Sequence, residues 1–252
     1  MIEFLSVKSR CDLRRAERLL CADGLFFFCD IETEQDAIDF AAHFGDIVPH
    51  RDSEPSGITR ICHSEVEPVS DAYRGFSSAA LFPHTDRSSL QSPPPFLMQV
   101  CYRQSGIGGE STLVNIPKLL AVVSEQDQSV LEVLQDPTHA IISDGKTTYR
   151  GPLLEQAGDG SLSFRFRNDN CIYMTPRLSD VFGRLLREIE RLTMTCKLPE
   201  GCGYLVHNGW WLHGRTAFSG PREMWRILLD GHKGASWSGK TLAGFSREIL
   251  CV

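Results

Sequence analysis

Phe82-Pro83-His84-Thr85-Asp86 sets an imidazole and a carboxylate two residues apart, so a turn of the chain lets both reach one metal ion from the same side. Far downstream, Trp211-Leu212-His213-Gly214-Arg215 offers a second imidazole. Two His and one carboxylate with the opposite face open make the ligand set that suits non-haem Fe(II) oxygenases. A His-x-Asp tripeptide recurs by chance in unrelated chains, and His84 taken alone reads as an ordinary polar residue. Order and spacing carry the argument: 25 residues separate Asp86 from Thr112, and 12 separate His213 from Arg226. Arg226 stands in the apolar run Met224-Trp225-Arg226-Ile227-Leu228-Leu229-Asp230, where a charge needs a partner. Its planar fork suits a carboxylate bidentately. The alternative is an internal salt bridge to Asp230 or Glu223.

These residues in this order resemble the Fe(II)/2-oxoglutarate dioxygenases of the taurine dioxygenase (TauD/TfdA) family. The likeness extends to Gly24-Leu25-Phe26-Phe27-Phe28 and to Phe40 through Val48. It also takes in Pro93-Pro94-Pro95, Gly108 through Val114, Asn208 and His213-Gly214-Arg215, and so covers roughly residues 20 to 232. The resemblance implies a double-stranded β-helix (jelly roll) with flanking helices. It implies that His84, Asp86 and His213 hold Fe(II), and that 2-oxoglutarate chelates the iron and anchors on Arg226 and Thr112. O2 is the remaining co-reactant. Arg215 is expected to contact the metal-bound end of the cosubstrate, to brace the site, or only to pair with an acidic neighbour. Related halogenases carry Gly or Ala in place of the carboxylate, so Asp86 disfavours halogenation and favours hydroxylation of an unactivated C–H bond.

The substrate implied is a small polar metabolite, an amino acid or a derivative of one, with a place in natural-product biosynthesis. Sulfonate-using members carry a second Arg one turn of spacing beyond the cosubstrate Arg, where this chain has Asp230; a sulfonate would find a poor partner there. Asp230 either reaches the cavity and favours a cationic group or is a structural acid. Arg165 and Arg167 lie in Arg165-Phe166-Arg167-Asn168-Asp169, where related hydroxylases place substrate contacts. If that stretch is a strand, they share one side; one of them then holds a substrate carboxylate, or both face solvent. Desaturation or cyclisation by the same cofactor chemistry remains an alternative outcome. So does a metal-binding jelly roll without catalysis, although such a protein would have no use for Arg226 or Thr112.

The whole chain bounds this reading. At 252 residues, with 42% hydrophobic and 23% charged content, it is long enough for one sizeable core. A formal charge of -6 gives no basic stripe for nucleic acid and no cationic face for a membrane. Nine Cys without a CxxC spacing read as thiols in a reducing cytoplasm. No signal peptide and no run of ~20 apolar residues is visible. No repeat or linker divides residues 1–252, so a single domain with a small-molecule substrate is expected.

Periodicity fills in a mainly β chain with flanking helices. Helices are expected over 8–22, after a capping box at Thr33 and Asp36, over 116–134 with a break near 124–129, and over 176–192. Strands are expected at 25–29, 58–64, 95–102, 111–115, 138–143, 146–150, 162–168, 203–207 and 224–230, with a mobile loop over 67–79. Many short strands with ligands spread over ~130 residues fit a two-sheet jelly roll.

Overall fold

The computed structural model describes residues 2–62, 75–232 and 244–246. A short strand β1 (Phe4–Ser6) leads into helix α1 (Arg10–Asp23), which Ser9 caps by accepting from the Asp12 amide. Gly24 ends α1 at φ 66°, and a Cβ there would lie 2.1 Å from the Trp210 ring. Glycine alone meets both demands. β2 (Leu25–Cys29) follows, then α2 (Glu34–Ala42), whose N-terminus carries the expected capping box between Thr33 and Asp36. The next strands are β3 (Thr59–Cys62), β4 (Leu81–His84), β5 (Phe96–Arg103), β6 (Ile107–Gly108) and β7 (Ser111–Asn115). Helices α3 (Ile116–Gln126) and α4 (Ser129–Gln135) then precede β8 (Ala140–Ser143), β9 (Thr148–Arg150), β10 (Leu154–Gln156), β11 (Leu162–Phe164) and β12 (Ile172–Met174). Helix α5 (Pro176–Leu192) leads to β13 (Met194–Cys196), β14 (Gly203–His207), β15 (Trp211–Arg215), β16 (Phe218–Ser219) and β17 (Glu223–Leu229).

Two sheets carry the architecture. One has six strands in the order β1-β2-β14-β5-β17-β3, and the other four, β13-β7-β15-β4. Strand alternation sorts the larger sheet's residues onto two faces. Phe26, Phe28, Met98, Val100, Leu205 and Ile227 pack against Leu20, Phe40 and Phe44 of the first two helices and the turn after them. The opposite face sends Leu97, Cys101, Tyr204, Val206, Met224 and Leu228 into the larger core with Leu113 and Leu212 of the smaller sheet and with α3–α5. Arg226 shares this inner face, directly opposite Gln99 in the register. The result is a mainly β fold with flanking helices.

Several expectations need correction. The strand expected over 162–168 stops at Phe164, so Arg165 and Arg167 are not alternating residues of one strand. β10, β12 and β13 have three residues each, too short for alternation to mark. His63, the end of the strand expected over 58–64, and residues 67–74 of the expected loop lie outside the described residues. Among the described residues, no helix is long and apolar enough to cross a membrane.

Candidate metal and cosubstrate site

Antiparallel pairing of β4 with β15 puts His84 directly opposite His213, and their rings lie 4.6 Å apart, centroid to centroid. Gly214 permits the approach: a Cβ there would sit 2.3 Å from the Leu81 carbonyl and 2.8 Å from Thr112 Oγ1. Asp86 follows β4 and is held by its backbone. Its amide donates to Asn208 Oδ1 (2.8 Å), while Asn208 Nδ2 donates to the Asp86 carbonyl (2.9 Å) and to that of Pro94 (3.1 Å). Thr85 fixes the turn between the two residues, donating its amide to the Phe166 carbonyl and accepting from the Phe166 amide.

Protonation follows from this packing. His84 Nδ1 donates to the Phe82 carbonyl at 2.9 Å, which leaves Nε2 with its lone pair available. Burial, and then the Arg167 guanidinium, lowers His84 to about 4. Burial and the neighbouring His84 lower His213 to about 3. Burial alone would raise Asp86, but Arg226 and the two imidazoles more than offset it and hold the carboxyl well below its usual range. Two neutral imidazoles beside an ionised carboxylate are the donor set Fe(II) takes. The three are neighbours, yet among the described residues no three His, Cys, Asp or Glu side chains already converge on one point. Asp86 turns instead to Arg226, whose Nη1 lies 3.0 Å from Oδ2 and 3.4 Å from Oδ1.

The triad opens into a cavity of about 980 Å³, counting its mouth. Six arginines line it against only three carboxylates: Arg51, Arg87, Arg167, Arg215, Arg222 and Arg226 against Asp52, Asp86 and Asp144. Thr112 pairs with Gly214 across β7 and β15, and its Oγ1 is buried without a hydrogen-bond partner. Arg215 donates to the carbonyls of Gly75, Ser77 and Ala79 and so braces the segment entering β4. His50 lines the same cavity, lowered to about 4 by burial and then by Arg226.

Two expected substrate contacts lie elsewhere. Asp230 is exposed just past the end of β17, with its amide donating to the Asp46 carbonyl, and it does not line the cavity. Arg165 is buried away from it, donating to the carbonyls of Ser88, Leu90 and Gln91 and pairing with Glu155. Arg167 does line the cavity, but its guanidinium is paired with Asp169. Nor does Arg226 meet either acid named for it as an internal partner; Glu223 pairs with Arg60.

Sequence reasoning overlooked Arg222. It is buried, lines the cavity, and among the described residues makes no ion pair or hydrogen bond, its Nε included. The signal was present, since Arg222 and Arg226 stand four apart, the spacing sought between Arg226 and Asp230.

Known structures share this fold. The chain is similar in structure to asparagine oxygenase solved with Fe(II), (2S,3S)-3-hydroxyasparagine and succinate (TM-score 0.71, 16% identity, 88% of this chain and 79% of that one). It is similar to the non-haem iron oxygenase OrfP solved with Fe (TM-score 0.69, 13% identity, 91% and 84%). It is also similar to PvcB from Pseudomonas aeruginosa (TM-score 0.65, 18% identity, 86% and 82%). Among curated protein sequences none matches. The family model for the taurine catabolism dioxygenase TauD, TfdA family matches residues 6–228, which include the segments of His84, Asp86 and His213. The chain therefore belongs to the TauD/TfdA family of dioxygenases.

Proposed function

We propose that this protein is an Fe(II)- and 2-oxoglutarate-dependent dioxygenase that hydroxylates a C–H bond of a small polar metabolite, an amino acid or a derivative of one. The observation that carries the reading is the apposition of His84 and His213 across β4 and β15, with the ionised Asp86 held beside them. His84, Asp86 and His213 would hold the iron, Asp86 sharing oxygens now given to Arg226. When bound, iron with 2-oxoglutarate and O2 supplies the oxidation, and 2-oxoglutarate leaves as succinate and CO2. The chain's own residues bind, orient and exclude water.

Arg226 and Thr112 were the expected anchors of the cosubstrate. The unpaired Arg222 fits its distal carboxylate better, with the Thr112 hydroxyl as a further donor, because Arg226 is engaged by Asp86. Arg226 then steadies the metal carboxylate from the same inner face, and Arg215 braces the β4 approach rather than touching the cosubstrate. The two sheets are read as a double-stranded β-helix forming one domain over residues 1–252, working in the cytoplasm. That two similar structures are amino-acid oxygenases or bear hydroxylated amino acids supports the substrate class by analogy.

Succinate formation from 2-oxoglutarate, measured against Fe(II) and cosubstrate concentration, tests the reading. Arg222→Gln is expected to raise the 2-oxoglutarate requirement roughly 10- to 150-fold, the loss of one charge-assisted contact. No Fe(II)-dependent succinate from the wild type would refute the function. A normal requirement in Arg222→Gln with a raised one in Arg226→Gln would return the anchor to Arg226.

A further inference from the structure

Five of the six arginines around the cavity have an assigned partner. Arg51 pairs with Asp52 and Asp144, Arg167 with Asp169, and Arg226 with Asp86. Arg215 is spent on carbonyls, and Arg222 is given to the cosubstrate by the reading above. Arg87 is left. It follows the metal ligand Asp86, it lines the cavity, and among the described residues its guanidinium has no ion pair or hydrogen bond. The bound iron dication and the 2-oxoglutarate dianion cancel one another, so they do not remove this surplus of positive charge.

The backbone gives Arg87 more than a surface residue's freedom. It stands at φ 54°, the left-handed region, which is rare for a side chain of this size. Such strain persists where the surroundings over-determine it, and here they do. Asn208 clamps Asp86 on one side. On the other, Ser88 donates to the Thr85 carbonyl, and Arg165 holds the carbonyls of Ser88, Leu90 and Gln91. Two independent clamps keep a cation in a costly conformation at the wall of the site.

We infer that Arg87 selects the substrate: its guanidinium receives a carboxylate, and the enzyme prefers amino acids or N-acyl amino acids of net negative charge over isosteric amides. The inference rests on the function proposed above. Its test is an anaerobic titration of the Fe(II)–2-oxoglutarate form of the full chain with L-aspartate, N-acetyl-L-aspartate, their asparagine counterparts and L-lysine. The readout is the shift of the visible charge-transfer band.

The acids are expected to shift the band at concentrations about tenfold or more below the amides, as for one charge-assisted contact. Arg87→Gly deletes the fork while suiting the left-handed backbone, so it should melt at the same or a higher temperature and lose the preference for acids. Arg87→Glu should bring L-lysine ahead of L-aspartate, which a purely structural role would not do. Should Arg87→Gly fail to fold, Arg87→Lys decides, with acids still favoured but by a smaller factor. Equal response to acids and amides, no response to the acids, or unchanged selectivity in the variants overturns the inference. A band that never forms on adding 2-oxoglutarate removes the proposed function and this inference with it; a normal band without acid preference removes this inference alone.

Discussion

Asp86 stands between two kinds of cation, the guanidinium of Arg226 that it meets in the fold and the iron that we propose it holds with His84 and His213. Arg226→Gln is therefore expected to change iron affinity by a larger factor than 2-oxoglutarate affinity, measured by Fe(II) titration at saturating cosubstrate; the reverse order would make Arg226 the anchor. Asp86→Gly should bind iron more weakly and lose most hydroxylation, with at best a trace of chlorinated product in high chloride, because an opened coordination position does not aim the substrate at a halide. Product analysis by mass spectrometry checks this, and undiminished hydroxylation would show that Asp86 is no ligand. The proximity of His84, Asp86 and His213 was legible because metal chemistry restricts the donor types and the family resemblance supplies their order. Arg165, Asp230 and Arg87 could not, since a charged side chain's role depends on which groups the fold brings to it. Arg165 found carbonyls and Glu155, Asp230 found solvent, and Arg87 is distinguished by a backbone angle with no sequence signature.

At the scale of elements, the long, strongly patterned pieces were legible. α5 and β7 run as read, with Leu178, Phe182, Leu185 and Ile189 of the helix buried. The site itself hangs on short pieces that periodicity does not mark. β4 has four residues and β15 is buried throughout, so neither shows alternation. The turn after β4 depends on Arg165, which reaches it from beyond the end of β11. Arg165→Met should lower stability by about 2–4 kcal/mol, since buried carbonyls lose a charged donor. It should also loosen the segment carrying Asp86. Thermal unfolding read beside iron affinity checks this. A variant of wild-type stability with a raised substrate KM would instead make Arg165 the substrate contact first expected.

The whole molecule brings residues nearly 130 positions apart into one buried site, and that burial has a price in acid. His84 and His213 stay neutral in the fold down to about 4 and about 3, whereas in the unfolded chain they take up protons near their ordinary value of 6.5. Between those limits the unfolded state binds more protons, so the metal-free protein should lose stability as pH falls from about 6.5 towards 4. Each imidazole contributes on the order of 3 kcal/mol to that loss. Asp86, held low, adds its own loss only below the ordinary carboxylate range. Melting temperatures at pH 7 and pH 5 should differ, and less so in His84→Gln; a flat profile would mean that the imidazoles are not buried as described. The central claim is that His84, Asp86 and His213 form one Fe(II) site beside a 2-oxoglutarate anchor. Anaerobic titration of Fe(II) and 2-oxoglutarate, followed by the visible charge-transfer band, tests it most directly. The wild type should form the band at one iron per chain, and His84→Ala, Asp86→Ala and His213→Ala should each weaken or abolish it. No band in the wild type, or an undiminished band in any of the three variants, would contradict the account.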